Sequence, residues 1–309
     1  MSSSDTLKSL SQASGCLPAA AETSAAPAVS RACAGLRTLG QHWPEYLMEA
    51  AELGLFMISA CTFTVLLEHP GSPAHGLLPD ATLRRVLMGA AMGLTAILII
   101  YSPWGKQSGA HMNPAVTLAF LRLRKVRPWD ALFYVLAQFA GGIAGVMIAF
   151  HILGNAVAHP SVHYAVTSPV MGGVAIAFAA ELAISFLQLT IVLNLSNHPK
   201  WSRYTGMAAG VMVAIYIAAE APLSGMSMNP ARTLGSAVGA GSFDGIWIYF
   251  IAPPLGMLLA TEIYVRFRKY NTIFCAKFHH ANRKRCIFRC GYGELVRMSD
   301  LMKYGTWDA

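Results

Sequence analysis

Two short stretches carry most of the polar chemistry of an otherwise apolar chain. The first reads Ser108-Gly-Ala-His111-Met-Asn113-Pro114-Ala115-Val116-Thr-Leu-Ala, the second Ser224-Gly-Met226-Ser-Met-Asn229-Pro230-Ala231-Arg232-Thr-Leu-Gly. In each, the asparagine is a good helix N-cap and the proline suits the first helical position. A helix started this way presents unpaired backbone N–H groups and the positive end of its dipole. Between long apolar runs, such a start is tolerated only where it is buried in protein or lines a water-filled path. The two stretches share Ser-Gly, Met-Asn-Pro-Ala and Thr-Leu in register, so the chain contains an internal repeat. They differ in the next residue, which is Val116 after the first box and Arg232 after the second. An arginine keeps its charge and offers fixed donors, and at membrane depth an ionisable residue points to a solute pathway.

The elements that must position these boxes are membrane spans. With 55% hydrophobic and 12% charged residues, the chain carries about half the charge of a soluble domain. Apolar runs of roughly 20 residues, the length a bilayer requires, occur at about Pro44–Leu67, Leu83–Ser102, Trp129–Leu153, Val170–Leu195, Tyr204–Ala221 and Gly245–Val265. The segments after the boxes, about Asn113–Leu121 and Asn229–Val238, are too short to span and must turn back. The expected fold is an all-α membrane protein of six transmembrane helices plus two re-entrant half-helices in an inverted repeat. Small-residue strings, Gly89-Ala-Ala-Met92-Gly93 and Gly141-Gly142-Ile-Ala-Gly145, suit close helix contact in lipid.

Loop charge sets the orientation. Arg122, Arg124, Lys125 and Arg127, then Lys200 and Arg203, then the basic residues from Arg266 onward all fall on one side of a six-span plan, which makes that side cytosolic with both termini inside. Arg84 and Arg85 fall on the other side and are the exception. The net charge of +8 is accounted for by topology and lipid headgroups, and no nucleic-acid partner is implied. Residues 1–42, rich in Ser and Ala, read as a disordered cytosolic arm. Residues 43–268 form the channel-like domain, with repeats at about 43–154 and 169–268, and 269–309 form a basic cytosolic tail. The tail contains Cys275, His279, His280, Cys286 and Cys290; without a paired Cys-x-x-Cys the cysteines read as reduced thiols rather than a zinc site, so no metal or cofactor is expected.

The two boxes with their matched flanks resemble the aquaporin and glycerol-facilitator family, whose mark is a pair of Asn-Pro-Ala boxes in half-helices that meet at the bilayer midplane. The resemblance covers about Pro44 to Phe267. It implies a passive channel rather than an enzyme, and the spans hold no nucleophile–base pair or phosphate loop that would argue otherwise. Asn113, Pro114, Ala115, Asn229, Pro230 and Ala231 would form the central constriction, and Arg232, Met226, Ile217 and either Met92 or Gly93 the outer filter. Glu181, with either Glu49 or Glu52 as its counterpart, would brace the re-entrant loops, with His111 and Gln138 as further support. A homotetramer in a cell (inner) membrane is implied. Strict water channels carry a histidine where this chain has Ile217 and a phenylalanine near Met92, so the filter is more apolar than theirs. Glycerol facilitators carry an aspartate where this chain has Thr233, and Tyr249 and Phe250 resemble the water branch. Water is the favoured permeant, with glycerol or another small neutral solute as the alternative and a coupled transporter as a weaker one.

Overall fold

The computed structural model describes residues 26–169, 172–268 and 272–304. Helix α1 runs Ala26–Glu68, α2 Ala81–Tyr101, α3 Pro114–Arg122, α4 Pro128–Leu153, α5 Gly173–Ser196, α6 Thr205–Ala219, α7 Pro230–Ala240, α8 Ile246–Arg268 and α9 Tyr292–Tyr304. Five of these, α1, α2, α4, α5 and α8, are long and apolar enough to cross a membrane. The sixth span is α6. Its 15 residues rise only about 22 Å, and the single turns Ser202–Tyr204 before it and Ala221–Ser224 after it extend the crossing. The half-helices α3 and α7 complete the all-α, inverted-repeat membrane fold.

Residues up to Trp43 form a unit of their own. Within it the chain is already helical from Ala26, which corrects the expectation of disorder for residues 26–42; residues 1–25 lie outside the described set. The physical reason is composition: Ala26, Ala28, Ala32 and Ala34 are the strongest helix formers, and a helix nucleated in a stable span propagates at little cost.

From Pro44 onward the two repeats pack through small residues. Helix α2 lies along α6, α5 along α8, and α4 against α7. A Cβ on Gly93 would stand 2.5 Å from the Gly210 carbonyl oxygen, and one on Gly142 2.6 Å from that of Ala231. Backbone therefore touches backbone at both crossings, which is how helices associate where lipid supplies no hydrophobic drive.

The exceptional arginines have local partners. Arg84 is buried and forms an ion pair with Glu68 at 3.1 Å, while donating to the carbonyls of Leu78 and Pro79 at 2.8 and 3.0 Å. Arg85 donates to the Ala218 carbonyl at 2.9 Å. Both are consumed in holding loop and helix ends, so they act structurally rather than as topological charges. The Asp80 carboxylate caps α2 by accepting from the Leu83 and Thr82 N–H groups, which hold its pKa below the usual carboxylate value.

Candidate functional site

The two boxes meet. Asn113 Nδ2 donates to the Met228 carbonyl and Asn229 Nδ2 to the Met112 carbonyl, each at 2.7 Å. The reciprocal bonds fasten the tip of one half-helix to the loop that leads into the other. Each Asn also caps its own helix: Asn113 Oδ1 accepts from Ala115 N–H at 2.9 Å, and Asn229 Oδ1 from Ala231 at 3.0 Å and Arg232 at 3.3 Å. A side-chain amide has two N–H donors. One is used in each cross-bond, which leaves a second on each asparagine.

The loops before the boxes are strained in the same way. Gly109, Ala110 and Met112 have positive φ, as do Gly225, Met226 and Met228. Left-handed non-glycine residues cost about 1–3 kcal/mol each and persist where the surroundings over-determine them. Buried carboxylates do so here. Glu181 accepts from the N–H groups of Ser227 and Met228, both at 2.7 Å, and from the Ser224 hydroxyl at 2.8 Å. In the other repeat Glu49 accepts from His111 and Met112 N–H at 2.8 and 2.7 Å, and Glu52 takes the Ser108 hydroxyl at 2.8 Å. The role of Glu181 is thus divided, with Glu49 holding the backbone and Glu52 the serine. Gln138 donates to Glu49 at 2.8 Å and to Thr117 at 3.1 Å. Two tyrosines complete the repeat: Tyr134 donates to the Ser108 carbonyl at 2.6 Å and Tyr249 to that of Ser224. The sequence marks Tyr249 only as an aromatic of the water branch and does not mark Tyr134, because each lies far along the chain from the loop it braces and the bracing carries no local signal.

A cavity of about 500 Å³ passes between the boxes, bordered by both asparagines and Arg232. Ile217, Met226 and Met92 also line it, and Gly93 does not. The backbone contact of Gly93 with Gly210 turns that residue into the α2–α6 interface, so of the two candidates Met92 is the one that borders the cavity. Arg232 Nη1 is buried with no hydrogen-bond partner among the described residues. The cavity lining is therefore largely apolar, with Asn113, Asn229 and Arg232 among its polar members.

The sequence profile of the family described as major intrinsic protein matches residues 38–264. The chain belongs to the major intrinsic protein family. This major intrinsic protein is 34% identical over 239 residues to aquaporin NIP2-1 of Oryza sativa subsp. japonica, covering 75% of this chain and 76% of the relative. It is 35% identical over 212 residues to aquaporin NIP6-1 of Arabidopsis thaliana, covering 68% and 64% respectively. Its fold is similar to that of the aquaglyceroporin from Plasmodium falciparum, with a TM-score of 0.57 at 18% identity over 72% of this chain and 95% of the other. Family membership makes the chain a membrane channel for small solutes.

Among the residues that line the cavity of this major intrinsic protein is Phe278, in the tail. The tail is no loose appendage: Cys275, Ala276, Phe278 and Phe288 are all buried in the main core. His111, expected to be a pore-side or loop-packing residue, is the contact point. Its ring stacks between Phe120 at 5.3 Å and Phe288 at 5.4 Å, and its Nε2 lies 2.9 Å from the Ala276 carbonyl. The tail cysteines Cys275, Cys286 and Cys290 are free thiols, and the fold gathers them with His280. His279 faces away, its ring 4.7 Å from that of Tyr101. The available signal was Cys286-x3-Cys290, which lies within the range of metal-ligand spacings once Cys-x-x-Cys is not required.

Proposed function

We propose that the protein is a passive transmembrane channel for water that excludes ions and protons, with Asn113, Asn229 and Arg232 as its polar elements. The observation that carries the reading is the reciprocal pair of Asn-to-carbonyl bonds, which keeps one amide donor on each half-helix tip beside the cavity. A water oxygen between two such donors has its hydrogens turned outward, which breaks the donor chain a proton would follow. Facing positive helix ends and the Arg232 guanidinium repel cations.

A second reading, conduction of glycerol or another small neutral solute, is supported by the apolar character of Met92, Ile217 and Met226 around Arg232. An apolar ring deprives water of hydrogen-bond partners and accommodates carbon-bearing solutes. Loop charge supports an orientation with the basic tail in the cytosol, and the family resemblance supports a homotetramer with one pore per subunit.

The test is paired water and glycerol permeability by stopped-flow on proteoliposomes of the full chain. Because Phe278 borders the cavity, Phe278→Ala is measured alongside. Non-saturating water flux independent of a proton gradient supports the channel, and the glycerol-to-water ratio decides between the two permeants. Saturable, gradient-driven uptake, or no flux in either protein, would sink the reading.

A further inference from the structure

The tail holds a second cluster of chemistry outside the half-helix tips. Its spacing is Cys275-x4-His280-x5-Cys286-x3-Cys290. One donor atom from each residue lies within 4.8 Å of all the others. Cys275 Sγ is 3.6 Å from Cys286 Sγ, and Cys290 Sγ is 3.1 Å from His280 Nε2. A tetrahedral zinc ion, at about 2.3 Å from sulfur and about 2.0 Å from nitrogen, holds its ligands roughly 3.5–3.8 Å apart. The four atoms thus stand close to the corners such an ion requires. The three thiols are free of disulfides. Burial is graded, with Cys275 inside, His280 and Cys286 half-buried and Cys290 exposed, so the site is closed on the protein side and reachable from solvent. The N–H of Tyr292 points at Cys290 Sγ from 3.4 Å, and its ring stacks on His280 at 4.3 Å. Outer contacts of this kind orient metal ligands. Lys277, Arg283, Lys284, Arg285 and Arg289 lie in the same segment and offset the charge of three thiolates.

We propose that Cys275, His280, Cys286 and Cys290 bind one zinc ion, and that the ion clamps the segment between them as a stopper on the tail-side mouth of the pore. Binding sends the thiol protons to solvent. The anchors of the stopper all lie between the ligands in sequence. Phe278 borders the cavity, and its N–H donates to the Gly109 carbonyl at 3.2 Å. Lys277 Nζ donates to the Lys106 carbonyl at 2.9 Å, and Arg289 N–H to that of Lys125 at 2.9 Å. These contacts grip the chain on both sides of α3, just before its first turn and just after its last. With zinc bound, the ends of the segment are tied together, Phe278 is held at the cavity and Phe288 on His111; without it, only the individual contacts remain.

The metal half of the proposal is independent of the pore reading, whereas the stopper half rests on it, so the two are measured separately. Full-length protein carrying no polyhistidine tag is purified and its metal measured by mass spectrometry. Close to one zinc per chain is expected, lost in a Cys286→Ser/Cys290→Ser variant and kept in Cys61→Ser. Cobalt(II) should give the thiolate charge-transfer and intense tetrahedral ligand-field bands of a sulfur-rich site in the wild type alone. Zinc no higher in the wild type than in the double variant, with no such cobalt spectrum, overturns the site. For the stopper, a zinc chelator should raise water flux in proteoliposomes by about tenfold, equivalent to about 1.4 kcal/mol in the open–closed balance. Phe278→Ala should raise flux while keeping its zinc. Bound zinc with flux unchanged by chelation and by Phe278→Ala overturns the stopper and leaves the site standing. Absence of flux in every protein, with zinc bound, counts against the pore reading instead.

Discussion

At the scale of the residue, the pore depends on groups whose hydrogen bonds are only partly used internally. Arg232 borders the cavity, and its buried Nη1 has no hydrogen-bond partner among the described residues. Replacing it with valine is expected to leave the fold intact and to raise glycerol permeability relative to water by about tenfold, a change of about 1.4 kcal/mol in barrier; an unchanged ratio in stopped-flow assays would remove Arg232 from the filter. Glu181 is the reverse case, with every described contact directed at the loop before the second box. Glu181→Ala leaves two N–H groups and a hydroxyl buried without an acceptor, at about 1–3 kcal/mol each. The expected outcome is a clearly lower unfolding temperature of the purified protein together with lost flux, and a wild-type melting curve would contradict the bracing role. The identity of Arg232, Asn113 and Asn229 was legible in the sequence because type and spacing carry it. The assignment of Glu49 and Glu52 was not, since both lie on one helix within a turn of each other and only the fold shows which oxygen meets which N–H.

At the scale of the element, the expected spans and the observed helices agree to within a few residues except at the start of α1, because long apolar runs and Asn-Pro starts are strong local signals. What the helices touch is a different matter. Gly93 was a filter candidate by spacing, yet its missing side chain is what lets α2 meet α6 at the Gly210 carbonyl. Gly93→Leu is expected to force the two helices apart, destabilising the protein by about 1–3 kcal/mol or more. Detergent-solubilised variant should lose its monodisperse peak on size-exclusion chromatography. If it runs and melts like the wild type, the crossing is looser than the backbone contact indicates.

At the scale of the whole molecule, the tail joins the core rather than trailing from it. The basic loops support a cytosolic tail, and an epitope fused after Ala309 should accordingly be cleaved by external protease in inside-out vesicles but protected in right-side-out ones. The opposite pattern would reverse the orientation and place the stopper on the outer mouth. By itself the amino-acid order determined the membrane class, the repeat and the two Asn-Pro helix starts, and it singled out Asn113, Asn229 and Arg232, because each rests on composition, period or a short motif read along one segment. Only the tertiary structure decided the cross-bonds between the half-helix tips, the place of Met92 on the cavity wall, the bracing tyrosines, the gathering of Cys275, His280, Cys286 and Cys290 and the stacking of Phe288 on His111. These depend on distances between residues that are remote in the chain or unevenly spaced along it, and such distances are set by packing rather than by any local preference.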